Sequence, residues 1–171
     1  MEKPVRTIFM MAAMLLSCIS ALGQATQFKA MYLYKFAKGV SWPSDASSGD
    51  FVITIVGDNE MATVLSKQVS SRKIGSRSIV VKQVATVPQI EKSHMVYLGE
   101  SKSDQIQKLI EMQGGNKVLI VAGKGGWCEH GAGISFVNKG GAISYEVSSK
   151  NIQQRGLTVS QEVTRSGINV D

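Results

Sequence analysis

The sequence predicts an α/β fold: a single-domain sandwich with a largely parallel central sheet, a C-terminal antiparallel hairpin and flanking helices. Three observations carry this. Short β-branched runs alternate with segments of helical periodicity from Phe51 to Ala122, the pattern of strands joined by helical crossovers. Two apolar runs, Ile134–Val137 and Ala142–Val147, then flank Asn138-Lys139-Gly140-Gly141, a glycine-bearing connection of hairpin length. The whole lacks repeats, linkers and low-complexity tracts, so one domain accounts for it.

The chain opens on a leader. Met1–Arg6 is short and basic, Thr7–Leu22 is almost purely apolar, and Ala21-Leu22-Gly23 offers small residues for cleavage before Gln24. This is the pattern of a secretory signal peptide, and the apolar run is shorter than the roughly 20 residues a membrane span requires. Residues 1–23 are therefore expected to be removed, leaving a domain of 24–171 in an exported, periplasmic setting. Leu15-Leu16-Ser17-Cys18 loosely resembles a lipobox, which keeps lipidation of Cys18 as an alternative. The leader holds Lys3, Arg6 and Glu2 of the chain's 19 basic and 13 acidic residues. The remainder carries 17 against 12, a net charge of +5. These charges are scattered, which reads as a solvated surface rather than a nucleic-acid footprint.

The first helix is expected from Thr26 to Val40. Phe28, Tyr32, Phe36 and Val40 recur every fourth residue with Leu33 and Ala37 beside them, and Pro43 stops the helix. Five of the 11 aromatic residues lie here: Phe28, Tyr32, Tyr34, Phe36 and Trp42. That density marks either the anchor of the core or a docking face. Met31, Tyr34, Lys35 and Lys38 fall on the opposite side. Phe51–Val56 reads as a strand buried on both faces, and Met61, Val64, Leu65 and Val69 give the next helix its apolar side. Ile79–Val84 is a strand, Pro88 interrupts, and His94–Leu98 is a further short strand. Ser101–Asp104 opens a helix in a capping-box-like pattern. Its apolar stripe is Ile106, Leu109 and Ile110, and Gly114-Gly115 closes it. Lys117–Ala122 is the next strand. After the hairpin, Ser149–Arg155 forms a short helix and Ser160–Arg165 a last turn or two.

Candidate sites are sparse. Gly123-Lys124-Gly125-Gly126 follows a strand but lacks the leading glycine and the Ser or Thr of a phosphate loop. Cys128-Glu129-His130 gathers reactive types without further ligands at metal spacing or an orienting partner for a nucleophile. With Cys18 removed, Cys128 is the only cysteine, so it is a free thiol, an intermolecular bridge or a buried bystander. Gly57, Asp58 and Asn59 stand at the carboxyl end of the first strand, where open α/β sheets collect ligands. A cap for the following helix explains Asp58 or Asn59 equally. No catalytic set, metal cluster or cofactor motif emerges, which favours a non-enzymatic binding or regulatory module. Partner-binding candidates are Met31 and Tyr34 on the outward side of the first helix, and Trp127 in the late loop.

Lys29-Ala30-x-x-Leu33-Tyr34-x-Phe36-Ala37-x-x-Val40-x-Trp42-Pro43 resembles the opening signature of the YfiR-like family of periplasmic proteins. Gly57-Asp58, Gly131–Val137, Tyr145-Glu146-Val147 and Gly156–Ser160 follow in the order that family shows. The resemblance spans essentially all of 24–171. It implies a repressor, acting as a homodimer, that binds an inner-membrane diguanylate cyclase or a sensor histidine kinase and affects cyclic-di-GMP signalling and biofilm formation. The chain departs from the family in having Lys35 where Asn is common. It also retains only Cys128, so intrachain disulfide control cannot operate. A small-solute-binding protein using the loops near Gly57 and Gly123 is the alternative function.

Overall fold

The structure, a computed structural model, describes residues 23–43 and 49–171. The leader from Met1 to Leu22, with Cys18, lies outside the described residues. The first helix, α1, occupies 23–39. It begins earlier than its periodicity suggested, and it hands Val40 to a strand. Ten strands and four further helices follow: β1 (Val40–Ser41), β2 (Phe51–Val56), α2 (Asn59–Val69), β3 (Lys73–Ile74), β4 (Arg77–Val84), β5 (Met95–Leu98), α3 (Ile106–Gln113), β6 (Leu119–Ala122), β7 (Ile134–Lys139), β8 (Ala142–Val147), α4 (Ser149–Gln154), β9 (Thr158–Val159), α5 (Gln161–Ser166) and β10 (Ile168–Asn169).

Eight strands form one sheet in the order β10-β8-β7-β6-β5-β2-β4-β3, and β1 pairs with β9 in a separate antiparallel ribbon. The central strands β4, β2, β5, β6 and β7 are mutually parallel. The β7–β8 hairpin is antiparallel, as the sequence led us to expect. It turns on Gly140 and Gly141, both with φ positive (+62° and +86°), the backbone that a two-residue hairpin loop demands. From β2 the chain crosses to β4 on one side, then returns to β5 on the other, so β2 and β5 bound the topological switch point.

Strand alternation divides the core in two. Phe51, Ile53, Ile55, Met95, Tyr97, Leu119, Val121, Ile134, Phe136 and Tyr145 point to the face covered by α1 and α2. Val56, Val96, Leu98, Ile120 and Ala122 point to the other, covered by α3. Strands buried on both faces need no polar alternation, which is why β2, β5 and β6 read as continuous apolar runs.

Several expectations need correction. α1 buries Ala30, Leu33, Phe36, Ala37 and Val40, but Phe28 is 52% exposed. A four-residue step advances about 40° past a full turn on an α-helix. Phe28 therefore lies roughly 140° from the centre of the buried arc, while Tyr32 sits at its edge and is half-buried. The expected helix start at Ser101–Asp104 is a 3₁₀ turn, Glu100–Gln105, ahead of α3. β4 starts two residues early, at Arg77, because Arg77 and Ser78 pair with Ile74 and Lys73. His94 precedes β5 rather than opening it, and β6 starts at Leu119.

Candidate functional site

Three glycines lie side by side past the carboxyl ends of the parallel strands. Val56, Leu98 and Ala122 are in register across β2, β5 and β6, and each is followed by glycine: Gly57, Gly99 and Gly123. Their N–H groups donate to Val84 O (2.9 Å), Val56 O (2.9 Å) and Leu98 O (2.8 Å), extending the ladder by one rung. A methyl group on Gly123 would stand 2.7 Å from the Tyr97 hydroxyl and 2.8 Å from Glu100 N. Glycine is what lets the loops close over these strand ends.

The structure brings Gly57, Asp58 and Asn59 together at this edge, with their polar atoms already engaged. Met61 N–H donates to Asp58 Oδ1 at 2.9 Å, an N-cap for α2. The Asn59 carboxamide oxygen accepts from Gln83 Nε2.

Sequence reasoning missed the residue that ties α1 to this edge. Lys29 is 9% exposed. Its ammonium lies 2.5 Å from Glu100 Oε1, donates to Gly123 O at 3.1 Å, and stands 5.7 Å from the centre of the Phe136 ring. A helical wheel places Lys29 on the buried arc between Phe36 and Val40, and that was the available signal. A cation held there needs a partner, and Glu100 supplies it. Beside it the Tyr97 hydroxyl is buried without a hydrogen-bond partner among the described residues. Burial, with the Asp58 and Glu100 carboxylates adding to it, raises the Tyr97 phenol far above its ordinary range. This cluster joins a helix to a sheet edge; its chemistry is that of a clamp. Among the described residues, no three His, Cys, Asp or Glu side chains converge as a metal site.

The outward side of α1 is different. Phe28 and Met31 are 52% and 48% exposed. Phe28 and Tyr32, with Gln24 and Ala25, form one wall of a groove of about 500 Å³, and the hairpin residues Asn138, Gly141, Ala142 and Ile143 form the other. Tyr34 faces the Arg72 guanidinium at 4.6 Å and the Lys38 ammonium at 6.0 Å, and it packs partly against the core. Trp127 lies across the sheet, half-buried in the α3-side cluster, its ring 5.0 Å from that of His130. Met31, Tyr34 and Trp127 thus do not form one surface. Phe28 was passed over because the four-residue repeat assigned it to the core.

The remaining reactive residues are packed. Cys128 is a buried free thiol with Sγ 3.4 Å from Ser135 Oγ. Burial pushes it up to about 11, outweighing the Ser135 contact. His94 is stacked on Phe51 at 4.8 Å and accepts at Nδ1 from Val52 N–H at 3.1 Å. Gly126 N–H donates to Glu146 Oε2 at 2.7 Å, which fastens the Gly123–Gly126 loop to β8.

A protein-family model described as YfiR/HmsC-like matches residues 26–167. No curated protein matches the chain.

Proposed function

The chain belongs to the YfiR/HmsC-like family, and from that premise we propose that it is a periplasmic, non-enzymatic regulator. It binds a membrane-bound signalling protein and represses it. The partner is a diguanylate cyclase or a sensor histidine kinase, so the output is cyclic-di-GMP signalling and biofilm formation. The active form is a homodimer, delivered by the leader 1–23.

The observation that supports this reading most is the seating of α1. Lys29 locks one side of the signature helix to the strand ends, and Phe28 and Met31 remain exposed on the other. Exposed apolar and aromatic side chains on a rigid helix are the anchors from which interfaces draw most of their energy. Among the described residues no helix is long and apolar enough to cross a membrane, so the membrane element of the signalling unit comes from the partner. The solute-binding alternative at Gly57, Asp58 and Asn59 is the weaker reading, because the Asp58 and Asn59 side chains are already spent on the cap and on Gln83.

Photo-crosslinking in cells tests the surface. A crosslinking amino acid at position 28 or 31 should capture a membrane cyclase or kinase, identified by mass spectrometry, and one at position 127 should not. Capture from 127 alone would move the interface to the other face of the sheet. Capture of neither class of protein from any position would remove the regulatory reading.

A further inference from the structure

We propose that the cleft at the amino ends of β5 and β6 binds a small organic anion, a carboxylate on a compact apolar body. The proposal does not depend on the regulatory reading. The cleft encloses about 580 Å³ between the segment leading into β5 and the connection from α3 to β6. It lies at the opposite end of the sheet from Gly57 and Gly123.

Its floor is apolar, from Ile90, Met112 and Val118, and Met112 is 45% exposed there. Two polar groups in it lack what buried or charged groups ordinarily have. Gln113 is only 7% exposed, yet its carboxamide has no hydrogen-bond partner among the described residues. Buried amides are nearly always paired, and an unpaired one is costly. Lys92 is exposed at the rim and is likewise without a partner among the described residues.

The neighbouring groups are already engaged. Ser93 Oγ shares a hydrogen bond with Thr54 Oγ1 at 2.6 Å, and His94 accepts from Val52 N–H. Glu91, the one carboxylate among the cleft's lining residues, is taken by Lys82. An amide donor and an uncompensated ammonium over an apolar floor match a ligand with one negative end and one apolar end. The negative end of α3 opposes an anion here. It is blunted because Gly114 N–H donates to Ile110 O and Glu111 O, and Asn116 N–H to Gln113 O.

NMR titration of the purified, ¹⁵N-labelled protein tests this, with benzoate, phenylacetate and hexanoate as probes and benzyl alcohol as the uncharged control. At least one carboxylate should shift the Gln113 side-chain amide and the backbone amides of Gly115–Val118, saturably and at least tenfold more tightly than the alcohol. Gln113→Leu removes the unpaired amide and keeps the volume. It should leave the protein folded and no less stable, and should weaken the carboxylate at least tenfold. Lys92→Ala should weaken the carboxylate and leave the alcohol unchanged. The proposal is overturned if no probe shifts these amides at tens of millimolar, if the alcohol binds equally well, or if Gln113→Leu binds as the parent does.

Discussion

Replacing Phe36 by alanine should destabilise the protein about as much as a single core truncation can, whereas replacing Phe28 should cost little. Phe36 is fully buried, with its ring 4.7 Å from Tyr145 in an edge contact, 5.8 Å from Phe136 and 5.9 Å from Tyr32. Phe→Ala in a core costs about 3–5 kcal/mol, and each aromatic pair adds about 0.5–1.5 kcal/mol beyond area alone. Three such neighbours place Phe36→Ala near the top of that range, at about 4–5 kcal/mol. Phe28, half exposed, should lose less than about 1 kcal/mol. Urea denaturation of both variants measures this, the midpoint shift being read at constant slope. Equal losses for the two, or a Phe36→Ala loss below about 1.5 kcal/mol, would show that α1 is rotated from the orientation described.

Gly123→Ala should destabilise by about 1–3 kcal/mol through overpacking against Tyr97 and the Glu100 and Leu98 backbone. Tyr97→Phe should recover part of that loss in a double variant, and thermal denaturation of the three proteins checks it. Lys29→Ala should cost about 2 kcal/mol in the same assay, below the range for fully buried pairs because Glu100 is 65% exposed. Cys128 should react with iodoacetamide at pH 8 only as fast as the protein unfolds, and reductant should leave monomer stability unchanged. Its pKa rises from about 9 unfolded to about 11 folded. Its stabilising contribution is therefore complete below pH 9 and lost as pH climbs through 11, and urea midpoints of Cys128→Ala against the parent across that window read it.

The strand order of the centre was legible because β2, β5 and β6 are buried on both faces and α2 and α3 carry helical stripes between them. The two-residue strands β1, β3, β9 and β10 were not, because periodicity needs a longer window. Thr158–Val159 and Ile168–Asn169 become strands only through their partners, Ser41–Val40 and Glu146–Val147. Tertiary pairing, invisible in any local pattern, decides such segments. The aromatic density of α1 was correctly read as meaningful, but a string of fourth residues is a drifting line rather than a face. That drift sent Phe28 to the wrong side and hid Lys29 on the right one. Trp127 was readable as semi-buried, yet its face depends on the 3₁₀ turn Trp127–His130, which nothing before β7 announces. Gln113 carried no signal either: at the end of a helical stripe a glutamine reads as solvent-facing, and its burial comes from the fold of the connection to β6.

The central claim is repression through the exposed side of α1, and the cyclic-di-GMP level of a gene deletion tests it most directly. The deletion should raise cyclic-di-GMP, or the output of an adjacent sensor kinase. The parent protein supplied in trans should lower it again. A Phe28→Asp/Met31→Asp variant, shown by circular dichroism to be folded and exported, should fail to do so. If deletion leaves both signals unchanged while uptake of a solute fails, the account is contradicted and the solute-binding reading replaces it.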